Sequence, residues 1–363
     1  MQVVNSTTRI QKLDFLRGIA IILVLFRHQL LTPALQTMGW IGVDLFFVLS
    51  GFLVSGLLFQ EYQKFGSVSP GLFLIRRGFK IYPLYYLTYA AYLLPKLYYH
   101  KFDGQKVLYD CLFVQNYFLG WGYAYPASWS LAVEEHFYVV LALTFGLLVH
   151  YFPTPFKRAL QGYGFVLGIS VILVSILFIR WISNVSQINH NVYHITATHL
   201  RLDSLLFGVL IAYGYHFRRT SWTVFILKHQ KKLLLLSFCL LSFTPFHIAS
   251  SFFIRTIGFS LVYLAFGLLL LCVLFDERMD QKLNRWFSPL IVKFIARIGF
   301  NSYAIYLIHS LVIYAVTYLQ IPNRVVVFAL VFSLSVAVGD LFTRYVESYF
   351  LAKRDAYFPK RTR

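Results

Sequence analysis

The chain has 363 residues, of which 58% are hydrophobic, 19% aromatic and only 13% charged, and its formal net charge is +19. A soluble domain carries about twice that charged fraction, so a soluble globular protein is excluded. The positive charge does not indicate nucleic acid, because the basic residues sit between long apolar runs and form no stripe on a foldable soluble domain.

Apolar runs predict helices over 13–32, 40–60, 81–98, 129–150, 163–182, 199–216, 233–248, 252–275, 297–319 and 324–346. The first is read as a permanent helix rather than a cleaved signal, since it holds Arg17, Arg27 and His28 and has no small-residue cleavage site. The stretch 107–119 is apolar but too short to span a bilayer. It carries Asp110 and Asn116 and is expected to be re-entrant or interfacial. Cys111, Cys239 and Cys272 show neither metal nor redox spacing, and no metal is expected.

Loop charges set the orientation. One set of alternate loops holds Arg9 and Lys12, then Lys64, Arg76, Arg77 and Lys80, then Lys157 and Arg158. Arg218, Arg219, Lys228, Lys231 and Lys232 follow, then Arg278, Lys282, Arg285 and Lys293, and the tail ends in Lys360, Arg361 and Arg363. The opposite set holds only Lys101, Lys106, Arg255 and Arg324. The fold expected is an all-α polytopic membrane protein of about ten transmembrane helices, multi-pass in the inner (plasma) membrane, with both termini cytoplasmic. Residues 1–350 form a single transmembrane domain, and 351–363 a basic cytoplasmic tail.

Several predicted helices carry charges that lipid disfavours by about 2.5–3.5 kcal/mol each at the bilayer centre. They are Asp14, Arg17, Arg27 and His28, then Asp44, then Glu134, Glu135 and His136, then Arg201 and Asp203, His309, and finally Asp340 and Arg344. At a rise of about 1.5 Å per residue, His28 lies about 22 Å from the inner face, while Asp44 and Glu134 lie about 6–7 Å from the outer one. Asp203 has a similar depth, so four titratable groups share one level and predict a polar cavity. Arg17 sits near the inner face. Asp14 and Arg17 are spaced for a helix-end ion pair, Arg27 and Arg344 can snorkel, and Glu135 and His136 point to other faces than Glu134. Charges at one depth also suit a proton-coupled transporter or flippase, but the chain has no inverted repeat or matching broken helices.

The same positions carry a resemblance. Residues 13–18, LDFLRG, followed by His28, resemble the opening of acyltransferase family 3, the membrane O-acetylases of O-antigen and related glycans. GVDLFFVLSGF at 42–52, RRGFKIYP at 76–83 and WSLAVEEHFY at 129–138 resemble its later blocks. Arg201-Leu202-Asp203 with Gly208, and GFNSY at 299–303 with His309, complete the order. Two positions depart from the pattern: Lys80 stands where the family's basic block usually has Arg, and Glu347 lacks the proline that often follows. The sequence runs no further than the tenth helix and its tail, so the extra esterase-like domain of some relatives is not expected.

The resemblance implies transfer of an acyl group, acetyl in the simplest case, from acyl-coenzyme A to a hydroxyl of a glycan or lipid-linked sugar. Arg17 and His28 are the implied catalytic pair. Transfer needs a base for the hydroxyl proton and a cation or donor for the oxyanion. His28 is expected to be that base or a transient acyl carrier, oriented by Glu134 or Asp44. Arg76, Arg77 and Lys80, with Arg17, are expected on the donor phosphates. Trp129, Ser130, Tyr138, Arg201, Asp203, Ser302, Tyr303 and His309 are expected to line the substrate cavity. Expected partners are membrane lipid and the glycan acceptor, without nucleic acid or a metal.

Overall fold

The computed structural model describes residues 11–29, 31–186 and 192–362; Arg9, Leu30 and Arg363 lie outside the described residues. All regular elements among the described residues are helical. Helix α1 (Gln11–His28) stops four residues short of the expected 32, because Thr32 caps a new helix, α2 (Pro33–Met38), with Pro33 in its first turn. Helix α3 (Ile41–Phe65) ends on Gly66, whose φ of 67° is left-handed and whose N–H donates to the Tyr62 carbonyl. Helix α4 (Pro70–Tyr98) begins eleven residues before the expected 81. The basic block is therefore part of the helix: its charges lower the local hydropathy without breaking the backbone. The segment expected to be re-entrant forms two short helices, α5 (Gly104–Cys111) and α6 (Gln115–Phe118).

Helices α7 (Ser128–Tyr151) and α9 (Gly164–Val185) match expectation, and between them lies an unforeseen amphipathic helix, α8 (Pro153–Gln161). A short turn, α10 (Tyr193–Thr196), precedes α11 (Leu202–Phe217) and α12 (Arg219–Leu241). A π-helical turn at Ile254–Gly258 leads into α13 (Phe259–Phe275). A second amphipathic helix, α14 (Met279–Phe287), follows. The expected ninth helix is broken: α15 (Pro289–Phe300) and α16 (Ser302–Thr317) meet at 77° around Asn301. Helix α17 (Arg324–Phe342) runs through a π-helical turn into α18 (Ser348–Tyr357), so the expected cytoplasmic tail begins as helix.

Five described segments are long and apolar enough to cross a bilayer, namely Pro33–Phe65, Ser128–Tyr151, Gly164–Val185, Ile254–Phe275 and Arg324–Tyr357. The bent pair α15–α16 makes a sixth if it is one span. Of the other expected spans, α1, α4 and α12 are rich in charge and α11 has only 16 residues. On α9 the apolar side chains Leu167, Val171, Val174 and Phe178 face outward, the inverse of a soluble helix and the pattern of a lipid-facing one. The molecule is a multi-pass membrane protein by these features.

Inside, helices approach through glycine. A Cβ on Gly51 of α3 would meet the Leu205 carbonyl oxygen at 2.0 Å, and one on Gly299 of α15 would meet the Asp14 carbonyl oxygen at 1.8 Å. Backbone thus packs on backbone where α3 crosses α11 and where α1 crosses α15, as in small-residue membrane interfaces.

Candidate functional site

A cavity of about 590 Å³ opens between α1, α3, α4, α7, α16 and the C-terminal segment, within the usual range for small-molecule sites. Its middle is apolar, with Leu49, Leu53, Leu57 and Phe73. Its polar groups come from helical repeats. Ser130, Glu134 and Tyr138 stand four apart on α7, and Arg76 and Lys80 four apart on α4, so each set shares a face. Arg17 of α1, Arg77 of α4, and Ser302, Tyr303 and Tyr306 of α16 complete the lining.

Glu134 accepts hydrogen bonds from Ser50 Oγ (2.9 Å) and Tyr138 OH (2.7 Å), with Arg17 and Arg77 in electrostatic reach. The Arg77 guanidinium lies over the rings of Phe73 and Tyr138, and Lys80 pairs with Glu347 at 3.1 Å. Tyr303 OH donates to the Ile81 carbonyl (2.6 Å), which ties α16 to α4. Arg17 forms neither a hydrogen bond nor an ion pair with a described residue, so the pair that its spacing from Asp14 allows is not made. Glu135 lines the same cavity as Glu134, against expectation. The cavity wraps α7 widely enough to take in the about 100° between successive side chains. Tyr82 OH donates to Glu135 Oε2 (2.9 Å), while Glu135 Oε1 and Ser302 Oγ are buried without a hydrogen-bond partner among the described residues.

The four groups expected at one level do not come together at one site: Asp44 and Asp203 share a network around Arg201, and Glu134 and His28 lie apart from it and from each other. His28 ends α1 outside the cavity, and its Nδ1 lies 2.9 Å from the Val24 carbonyl. A carbonyl only accepts, so Nδ1 carries the proton and Nε2 the lone pair. The carboxylate partner expected for His28 is absent: Glu134 is bonded in the cavity and Asp44 elsewhere. The His28 ring instead lies 4.9 Å from that of buried His309, whose Nδ1 donates to the Tyr306 carbonyl (2.5 Å). The two regions touch through Tyr306. It lines the cavity, packs its ring 5.6 Å from His309, and shares a 2.6 Å hydrogen bond with Ser130 Oγ.

Trp129, Arg201, Asp203 and His309, expected to line the substrate cavity, do not line this one; the first three join Asp44, expected beside His28, in a buried network that meets the cavity through Phe47. Asp44 accepts from Arg201 (2.7 Å) and Ser204 Oγ (3.2 Å), and Asp203 pairs with Arg180. The Arg201 guanidinium sits 3.6 Å from the Phe259 ring centroid and 5.9 Å from that of Trp129. This network pins α3, α9, α11 and α13 together. Arg180 was missed in the sequence, although a lone Arg near the end of a strongly apolar stretch was a visible signal. His136 donates to or accepts from Thr198 Oγ1 at 2.7 Å, away from Glu134.

In the loop between α4 and α7, burial pushes the Asp110 carboxyl above the usual range. Bonds from the Tyr123 and Ala124 N–H groups and from Tyr89 OH oppose that shift and fix the loop. Among the described residues, no three His, Cys, Asp or Glu side chains group as a metal site.

A family model described as an acyltransferase domain matches residues 10–344. A Staphylococcus aureus (strain MRSA252) protein named as a prospective O-acetyltransferase is 28% identical over 381 residues, covering 96% of this chain and 59% of its own. The O-acetyltransferase OatA of Staphylococcus aureus (strain NCTC 8325 / PS 47) is 25% identical over 93% of this chain and 56% of its own. The peptidoglycan O-acetyltransferase OatA of Listeria monocytogenes is 28% identical over 60% of this chain and 36% of its own. The chain thus spans under two thirds of the length of these relatives. No solved structure matches it.

Proposed function

Because the chain belongs to acyltransferase family 3, we propose that it is an O-acyltransferase of the inner (plasma) membrane. It moves an acyl group, acetyl in the simplest case, from cytoplasmic acyl-coenzyme A to a hydroxyl of a glycan or lipid-linked sugar on the outer side. The observation that carries this reading is a single cavity joining Arg17, Arg76, Arg77 and Lys80 to Glu134 over an apolar middle. Such a cavity suits a long neutral arm ending in phosphates. Ten spans are counted in this reading: α1, α3, α4, α7, α9, α11, α12, α13, the bent α15–α16, and α17. Both termini are cytoplasmic, and residues 1–350 are the transferase domain.

The cationic side of the cavity holds the donor phosphates. Glu135 Oε1 and Ser302 Oγ, which lack partners, offer hydrogen bonds to the amides of the arm. Arg17 guides the arm toward Tyr306. His28 Nε2 takes the proton of the acceptor hydroxyl as its oxygen attacks the thioester carbonyl; the C–S bond breaks, and the leaving thiolate recovers that proton. Arg17 lies about 16 Å from His28 along α1, so it serves the donor and His28 the acceptor. The His28 ring is held by Val24 rather than by a carboxylate.

The test uses protein purified in detergent, with free thiol release followed from acetyl-coenzyme A with and without a crude glycan acceptor. Release by the wild type that is lost in a folded His28→Ala variant supports the reading. Absence of both coenzyme binding and turnover with any acyl-coenzyme A overturns it.

A further inference from the structure

The C-terminal segment folds back onto the cavity. Arg354, Lys360 and Arg361 join Lys64 at the end of α3 in its lining. These three C-terminal cations lie beyond residue 344, where the family match stops. The segment is fastened at two points. Arg76 bonds Asp355 (2.8 Å) and the Phe358 carbonyl, and Arg361 bonds Glu61 (2.9 Å) and Ser67. Those bonds engage Arg76 and Arg361, and Arg354 pairs with Asp355. Lys64 and Lys360 have no acidic partner among the described residues, although both line the cavity. Eight cations and three carboxylates (Glu61, Glu134 and Glu135) share the lining, a net of 8 − 3 = +5. That excess of positive charge invites a polyanion.

We propose that Lys64 and Lys360, backed by Arg354, form a phosphate clamp across the cavity mouth. The clamp grips the nucleotide phosphates of the donor and is closed by the docked C-terminal segment. The inference rests on the coenzyme reading above and adds to it the element that selects for a phosphorylated donor. Lysine ammonium groups suit this role as mobile point charges.

The test is equilibrium binding to the whole 363-residue chain in detergent, using coenzyme A, its 3′-dephospho form and pantetheine. The Lys64→Ala/Lys360→Ala double variant is the probe, and thermal unfolding confirms that it stays folded. The double variant should bind coenzyme A about tenfold or more weakly and pantetheine unchanged, and Lys64→Arg/Lys360→Arg should restore binding. Equal affinity of the wild type and the double variant for coenzyme A overturns the clamp and leaves the donor reading standing. If the wild type binds none of the three probes, the donor reading itself fails. A parallel arm adds phosphatidylglycerol. Loss of lipid binding in the double variant, with coenzyme binding intact, assigns the cations to lipid headgroups and overturns the clamp.

Discussion

Arg201 shows how one buried charge ties helices together. Its guanidinium holds Asp44 at 2.7 Å, both side chains are essentially sealed from the surface, and its Nε and Nη1 atoms have no hydrogen-bond partner among the described residues. Removing one member of such a pair leaves the other charge uncompensated, at a cost of about 3–5 kcal/mol. Arg201→Ala should therefore lower the unfolding midpoint sharply. Asp44→Asn/Arg201→Met, which removes both charges, should recover a large part of that loss. If the double variant is no more stable than Arg201→Ala, the pair is not the source of the effect. This separates Arg201 and Asp44 from Glu134, which sits in the cavity among cations and hydroxyls. The sequence supplied the identity of each of these residues and, from the rise per residue, an expected depth. It did not supply their azimuth around the helix. Asp44, Glu134 and His28 were expected at one level, yet they face three different neighbours, and Glu134 bonds Ser50, six residues further along α3 than Asp44.

At the scale of elements, the crossing of α1 and α15 depends on having no side chain at Gly299. Gly299→Val forces Cβ into the Asp14 carbonyl and should destabilise the protein by at least the 1–3 kcal/mol typical of overpacking, read as a lower yield of monodisperse protein in detergent. A native-like yield would show that α1 and α15 can separate freely. The junction after α13 should respond to pH. Burial alone would raise the Asp276 carboxyl, but hydrogen bonds from Lys282 (2.6 Å), Gln230 (2.8 Å) and the Arg278 N–H (2.9 Å) hold it below the usual range. A lowered folded-state value stabilises the fold above the ordinary carboxylate pKa of about 3.9, and that contribution fades as pH falls through the lower folded value. The unfolding-midpoint gap between wild type and Asp276→Asn should thus be full at pH 6 and shrink below about pH 4. A gap independent of pH would remove Asp276 from this role. The sequence revealed helix existence better than helix ends. Thr32-Pro33 broke the first expected helix, α4 absorbed its basic block, and α8 and α14 escaped notice because neither is a long apolar run.

On the scale of the whole molecule, the proposed topology rests on the charge bias of the loops. A single cysteine introduced at Lys101 and one at Lys157, in a background with Cys111, Cys239 and Cys272 replaced, should be labelled by an impermeant maleimide from opposite sides of sealed vesicles. Labelling from the same side would refute the proposed topology. That topology gives Tyr306 an electrical consequence. With the cavity on the inner side and the histidine pair on the outer, one ring and its bond to Ser130 lie between the two, and in that topology much of the membrane voltage should fall across it. Carrying an elementary charge over that drop takes about 2.3 kcal/mol per 100 mV, whereas a neutral acyl group crosses without electrical work. The coenzyme, with its phosphates, stays behind by electrostatics as much as by size. Opening the partition with Tyr306→Gly should let protons through and collapse a pH gradient in proteoliposomes that the wild type holds, making one aromatic side chain the insulator of the molecule.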